Sequence, residues 1–293
     1  MLNENLKKQI EEMFSKLENT VEIKLRKTNH SKFNDLRNFL IDISSISDKI
    51  KIDEIDSEKE ELLFSIKNVF FKGIPTGHEF SSLLLAILNS DKKGKFPDKH
   101  IQDRIKNINE GEIHTIISLT CENCPDVVQN LNLISFINPK IKSVMIDGQY
   151  YPKDIEKLNI QSVPSIISKN KVIGVGRQNL IDIIELLEKN LGTSQVEKSN
   201  KEMFYDVAIV GGGPAGVSSA IYTARKGFKT VIIADQIGGQ LNETKGIENM
   251  ISIPYTEGKP LSSNLRKHLE AYDIHILDHR KVKKILKDKN IET

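Results

Sequence analysis

SLTCENCPDVVQNL, residues 118–131, holds both cysteines of the chain. EIHTIISLT (112–120), which leads into it, reads as a strand, and CPDVVQNLNLISFI (124–137) reads as a helix. The pair therefore sits in a strand-CxxC-Pro-helix context. Pro125 suits the first helical turn, where its missing N–H costs nothing. Cys121 falls just before the helix N-terminus, where partial positive charge stabilises a thiolate and lowers its pKa from the free value of roughly 8.5. Cys124, three residues on, is near enough to resolve a mixed disulfide. Glu122 works against the thiolate, which predicts a reducing pair rather than a strongly oxidising one.

Two blander readings stand beside the redox one. A structural zinc site takes four ligands. The chain has two cysteines, and His114 on the preceding strand has no second histidine at ligand spacing. Two inert core thiols would not require a proline and a helix start behind them. Downstream, Val163-Pro164 precedes a strand, and in a thioredoxin-like fold a cis-proline at this place packs against the disulfide.

Outward from the cysteines, KIKSVMIDGQ (140–149) reads as a strand and DIEKLNI (154–160) as a short helix. VPSIISKN and KVIGVG (163–176) read as a hairpin turning at Lys169-Asn170, and NLIDIIELLEKNLG (179–192) as a helix ending at Gly192. The preceding segment has a similar order. VEIKL (21–25) and KIKIDEID (49–56) alternate like strands around the helix pattern FNDLRNFLIDISSIS (33–47). LLFSIKNVFFKG (62–73) offers one or two strands, and the turn-like GIPTGHEF (73–80) leads into the apolar helix SSLLLAILNS (81–90). Strand, helix, strand, Pro-led hairpin and helix are thus expected twice, with a further amphipathic helix at the start.

GTSQVEKSNKEM (192–203) has few apolar residues and reads as a linker. Beyond it, YDVAIVGGGPAGVSSAIYTARKGFKTVIIAD (205–235) carries a buried strand (207–210), a glycine-rich turn, a helix and a second strand. Gly211, Gly213 and Gly216 fit G-x-G-x-x-G, with Asp235 nineteen positions after the last. Gly211 makes the turn, Gly213 admits a pyrophosphate to the backbone, and Gly216 lets the helix pack closely. The phosphates would rest on free N–H groups at the helix N-terminus, and Asp235 could accept a ribose hydroxyl. A helix is expected over SSNLRKHLEAY (262–272), with strands around HILDHRKVKKIL.

The 293 residues include 42 basic and 40 acidic side chains, a balance that gives no reason to expect nucleic acid or a polybasic membrane anchor. The charged start, MLNENLKKQIEEMF, lacks a signal-peptide apolar stretch. These features predict a cytoplasmic protein, where paired cysteines serve catalysis or metal binding rather than stapling.

Four stretches together resemble the flavoprotein (F) subunit of alkyl hydroperoxide reductase. They are GIPTGHEFSSLLLAIL, SLTCENCPDVVQNLNLISFINPKI, YDVAIVGGGPAGVSSAIYTARKG and IGGQLNETKGIENMISIP (237–254). The GGGPAG and GGQL parts are shared with the wider thioredoxin reductase group. The resemblance implies an α/β chain of two tandem thioredoxin-like folds, 1–102 without cysteines and 103–192 with the CxxC. A linker (193–203) and an incomplete FAD-binding Rossmann-type domain (204–293) follow. It implies that Cys121 and Cys124 pass electrons to the disulfide of a peroxiredoxin that reduces hydroperoxides, with Pro164 beside them. Glu79 would be the acidic group that shuttles a proton, with helix capping near Gly77 as the competing role, and His78 would be structural. Gly211, Gly213, Pro214, Ala215, Gly216, Asp235, Gly238, Gly239, Gln240 and Asn249 would meet FAD. The family's NAD(P)H domain and second CxxC do not occur in these residues, so a chain that is not self-sufficient is expected. Alternatives are half of a split flavoprotein that binds a separate C-terminal half, an inactive truncated remnant, and association as a homodimer.

Overall fold

Val21, Ile23 and Leu25 alternate with polar residues. In the computed structural model they are the buried face of strand β1 (Val21–Arg26). The structure describes residues 4–57, 59–194 and 202–286. Two compact units divide the chain, 1–196 and 197–293. Of the expected linker 193–203, residues 195–201 lie outside the described set.

The first unit opens with α1 (Glu4–Phe14), then β1, α2 (Phe33–Ser44), β2 (Ile50–Ile55), β3 (Leu63–Ile66) and β4 (Val69–Lys72). A 3₁₀ turn (Gly77–Glu79) leads into α3 (Phe80–Ser90). After α4 (Lys99–Lys106) the order recurs. It runs β5 (Gly111–Ile117), α5 (Cys124–Ile137), β6 (Ile141–Asp147), α6 (Pro152–Lys157), β7 (Ser165–Ser168), β8 (Lys171–Val175) and α7 (Leu180–Leu191). The second hairpin turns where the sequence places it, with Lys169 and Asn170 both at positive φ. The first hairpin, β3–β4, is not led by proline: Glu61 and Leu62 precede it, so the Pro-led feature belongs to the second repeat alone.

The two thioredoxin-like repeats share one eight-stranded sheet, in the order β2-β1-β3-β4-β6-β5-β7-β8. The seam is a parallel pairing of β4 with β6, Val69 opposite Ser143 through Lys72 opposite Ile146. β1, β2, β4, β5 and β6 therefore all run the same way, with β3 and β7 antiparallel to them. The consequence is positional. The chain leaving β4, the chain leaving β5 and the chain leaving β6 all emerge on one edge of the sheet, where β7 also begins.

The cores follow the repeats with one exception. Ile23, Leu36, Leu40, Phe64, Phe71 and Leu83 pack together, and this cluster also takes Cys124, Val128 and Met145 from the second repeat. Ile113, Leu131, Ile134, Ile166, Ile184 and Leu187 form a second cluster. The expected 102/103 division falls inside α4, and Ile101 and Ile105, from either side of it, both join this second cluster. Asp98 caps α4 by accepting the Ile101 N–H at 3.1 Å, and Arg104 clamps Glu188 of α7 through two bonds of 2.6 and 2.7 Å. A Pro-Asp start with isoleucines four apart was a readable signal for this helix.

The second unit is a parallel three-stranded sheet in the order β11-β10-β9. Its elements are β9 (Val207–Val210), α8 (Pro214–Arg225), β10 (Thr230–Ile233), a 3₁₀ turn (Gly239–Glu243), α9 (Gly258–Glu270) and β11 (Ile274–Leu277). Val217, Ala220, Ile232 and Leu269 form its core. β9, expected to be buried, is an edge strand with alternating half-buried and exposed residues, Val210 being 56 % exposed. Ile209 packs against that core, whereas Ala208 and Val210 lie on the opposite, exposed face of the sheet. Beyond β11, residues 278–286 form no strand, since this charge-rich stretch buries little apolar surface. Among the described residues no helix is long and apolar enough to cross a membrane.

Candidate functional site

The edge where β4, β5 and β6 end carries the cysteines. β5 stops at Ile117, whose carbonyl accepts the Gly148 N–H at 3.0 Å. The chain then turns, with the Cys121 N–H bonded to the Ser118 carbonyl at 3.0 Å, and enters α5 at Cys124. Cys121 and Cys124 form a disulfide with Cα atoms 5.5 Å apart. The two sulfurs differ in access. Cys121 is half-buried, whereas Cys124 is 0 % exposed. Val163-Pro164 is cis, and the Cys121 Sγ lies 3.8 Å from the Val163 carbonyl oxygen. The Pro164 carbonyl accepts the Gly176 N–H at 2.8 Å, and Arg177 next to it pairs with Asp126 of α5 at 2.7 Å. These bonds tie the proline segment to the helix that carries Cys124.

GHEF reaches this loop from the first repeat. Gly77, at φ +55, lies so close to the loop that a Cβ there would stand 2.7 Å from the Leu119 carbonyl oxygen. The His78 N–H donates to that same oxygen at 3.2 Å. Gln129 of α5 holds α3 in place by donating to Ser81 and Ser82 at 3.0 and 3.3 Å. Glu79 is consequently buried, 0 % exposed; it stands at the N-cap position of α3, but its side chain makes no capping hydrogen bond. Neither carboxyl oxygen has a well-formed hydrogen-bond partner. Burial pushes its pKa up to about 7. The nearby Ser82 hydroxyl opposes the rise, and the charges of Asp126 and Asp147 add to it. The His78 side chain is exposed. His114, considered as a metal ligand, faces Glu112 at 2.6 Å. No group of three or more His, Cys, Asp or Glu side chains able to hold a metal occurs among the described residues.

In the second unit, Gly211 turns the chain out of β9 at φ +111. A Cβ on Gly216 would stand 2.0 Å from the Gly211 carbonyl oxygen, so α8 packs directly on that turn. A Cβ on Gly213 would meet nothing within 4 Å, which leaves its backbone open to a ligand. Pro214 begins α8, and the first intrahelical bond runs from the Val217 N–H to the Gly213 carbonyl. The amides of Ala215 and Gly216 precede that ladder, as an anion cradle requires. Gly238 and Gly239, both at positive φ, bring the next loop against this one, and a Cβ on Gly239 would lie 3.6 Å from Gly213. The exposed Gln240 follows on the 3₁₀ turn. Asp235 lies just past β10, 4.0 Å from Lys281. Asn249 is exposed between Ile247 and Met250, which form isolated bridges with Thr256 and Ile253. Sequence reading passed over Gly212, whose Cβ would meet the Gln236 carbonyl oxygen at 2.7 Å, and Asp147. Asp147 ends an apolar strand in Asp-Gly, which reads as turn chemistry.

Known proteins bear on this geometry. The alkyl hydroperoxide reductase F protein of Staphylococcus aureus is 45 % identical over 282 residues, 94 % of this chain and 54 % of that protein. The chain is a relative of the alkyl hydroperoxide reductase F proteins. It spans about half the length of these relatives. A Bacillus subtilis protein named NADH dehydrogenase is 39 % identical over 98 % of this chain and 57 % of its own length. The N-terminal domain of alkyl hydroperoxide reductase F from Enterococcus faecalis, a solved structure, superposes with a TM-score of 0.60. At 27 % identity it covers 64 % of this chain and all of that domain. A disulfide oxidoreductase of Aeropyrum pernix, 20 % identical, shares the fold with the same score over 67 % of this chain and 97 % of its own. Residues 205–293 match the pyridine nucleotide-disulphide oxidoreductase family. The alkyl hydroperoxide reductase F likeness thus covers both the cysteine edge and the glycine loops.

Proposed function

We propose that this chain is a thiol–disulfide oxidoreductase of the alkyl hydroperoxide reductase system, passing an electron pair from Cys121 and Cys124 to the disulfide of a peroxiredoxin, which in turn reduces hydroperoxides. The observation that carries this reading is the unequal access of the two sulfurs beside a cis-proline and a buried carboxyl. Only Cys121 can meet a disulfide on another protein. As a thiolate it attacks one sulfur of that disulfide, forming a mixed disulfide and releasing the partner's other sulfur as a thiolate. Cys124 then attacks the Cys121 Sγ, closing the disulfide and releasing the second partner thiolate. The Cys124 proton has to leave for this step, and the Glu79 carboxylate is the group buried behind the pair that can take it. The cytoplasm, where thiols are kept reduced, is the compartment in which such a cycling pair belongs.

The test is a trap. Cys124→Ser keeps the attacking thiol and removes the resolving one. Mixed with oxidised peroxiredoxin, it should accumulate a covalent complex on a non-reducing gel that dithiothreitol dissolves. No complex at any pH between 6 and 9 would sink the proposal.

The glycine loops fit FAD through the open backbone at Gly213, the free amides of Ala215 and Gly216 and the abutting Gly238-Gly239 turn. When bound, and once reduced by a donor outside this chain, FAD would supply two-electron redox chemistry at these loops. Gly216→Val should remove FAD binding in a fluorescence titration, because its Cβ cannot stand 2.0 Å from the Gly211 carbonyl oxygen. Exchange at Cys121 should persist. Equal FAD affinity in the variant and the parent would reject this site.

A further inference from the structure

The backbone beside the reactive sulfur is anchored from an unexpected direction. Pro164 leads into β7, and β7 pairs with β8, Ser165 opposite Val175. Just past β8, the Gly176 N–H donates to the Pro164 carbonyl at 2.8 Å and closes the open end of the hairpin. Gly176 stands at φ +79, a conformation that L side chains rarely adopt. The turn it makes sends Arg177 to α5, where the Arg177 Nε donates to Asp126 Oδ2 at 2.7 Å. Asp126 lies two residues after Cys124, in the first turn of that helix. At the far end of this path the Val163 carbonyl oxygen lies 3.8 Å from the Cys121 Sγ. A continuous line of contacts thus runs from the first turn of α5, through Arg177 and Gly176, to the backbone that flanks the sulfur.

We propose that Arg177 is a positioning residue for disulfide exchange: its ion pair with Asp126 holds the Val163-Pro164 segment in place beside the Cys121 sulfur. The proposal rests on the exchange reading above, in which Cys121 attacks. A thiolate attacks close to the line of the S–S bond, so backbone beside the sulfur limits the directions from which that bond can arrive. A segment released from its anchor spends less time in the arrangement that leaves the line open. The effect has a ceiling. Both side chains of the pair are 42 % exposed, and ion pairs of that kind contribute little. Loss of the pair should slow exchange severalfold and not abolish it.

An ion pair can also act by charge alone, and the two routes differ in sign. Losing the cation disfavours the Cys121 thiolate, and losing the carboxylate favours it, so charge alone moves the thiol midpoint in opposite directions. Losing the anchor slows both variants alike. Glu122, next to Cys121, and the buried Glu79 are the same in both.

The full chain carrying Cys124→Ser reads the attack by itself. With a chromogenic aromatic disulfide, the Cys121 thiolate bonds to one sulfur, the S–S bond breaks, and one coloured aromatic thiolate leaves. Followed from pH 6 to 10, the rate reaches a plateau once the thiol is ionised. In this background Arg177→Gln and Asp126→Asn should each lower the plateau about threefold. The combined variant should be no slower than the slower single one, because both changes remove one contact. Arg177→Lys, which keeps the charge, should recover part of the loss. Hydrogen exchange reports the anchor directly: the Gly176 amide should lose protection in Arg177→Gln while the β5 amides keep theirs. A plateau equal to the parent's in both single variants overturns the proposal, whatever the midpoints do. Additive losses in the combined variant, or a Gly176 amide as protected as in the parent, overturn it too. Either single variant breaks the pair, so a poorly folding one leaves the other to decide. A parent that releases no aromatic thiolate defeats the exchange reading instead, and the Gly176 protection then still decides whether the pair anchors the segment.

Discussion

Cys121→Ser should reduce peroxiredoxin-coupled turnover to background, a drop of roughly 10³-fold or more, as expected when a covalent nucleophile is removed. Access explains the size of the effect. Cys124 is 0 % exposed and belongs to the core cluster built around Phe64, Phe71 and Leu83. It cannot reach a disulfide on another protein without opening that core, so it cannot substitute for Cys121. The double variant Cys121→Ser/Cys124→Ser should therefore be no worse than Cys121→Ser alone. Stopped-flow mixing of the reduced chain with oxidised peroxiredoxin separates the steps, and a Cys121→Ser chain that still reacts at the parent rate would refute the assignment. Measured against the reduced parent, stability should change little, because serine replaces a half-buried side chain and no disulfide is lost.

How much of this could be read beforehand depends on how local the signal is. The cysteine loop was legible because each part lies within a few residues of the next: a strand of isoleucines, two cysteines, Pro125 and an apolar helix. Lys169-Asn170 announced its hairpin for the same reason. The parallel seam between β4 and β6 was not legible. It joins Val69 to Ser143 across more than a whole repeat, and no periodicity encodes such a pairing. Asp147 was missed on the same grounds. In the sequence it is the Asp of an Asp-Gly turn, and it becomes a buried carboxyl only once Gly73 arrives over it from the neighbouring strand. The exposed side of β9 escaped notice because VAIV looks identical whether a sheet is covered on one face or on both. Glu79 fell between these cases. The resemblance gave it a role, but its burial and its lack of a capping hydrogen bond needed the fold.

Glu79 should also make the first unit less stable as pH rises. In the unfolded chain its carboxyl titrates near its ordinary value of 4.5, whereas in the folded protein it titrates at about 7. Below the lower value both states hold the proton and the group favours neither. Between the two values the unfolded chain releases its proton while the folded one retains it, so stability falls with pH. Above about 7 the fall is complete, and from the separation of the two values it amounts to something on the order of 3 kcal/mol. Glu79→Gln carries no titrating proton and keeps the shape of the side chain. Its β5 and β6 amides should therefore show nearly matched hydrogen-exchange protection to the parent at pH 5 and stronger protection at pH 8, after correction for intrinsic exchange. Asp147, also raised by burial, contributes a loss in the same direction, so the variant keeps part of the slope. The difference between variant and parent isolates Glu79. Equal pH slopes in the two proteins would mean that Glu79 titrates alike in the folded and unfolded chain, which would refute its raised pKa.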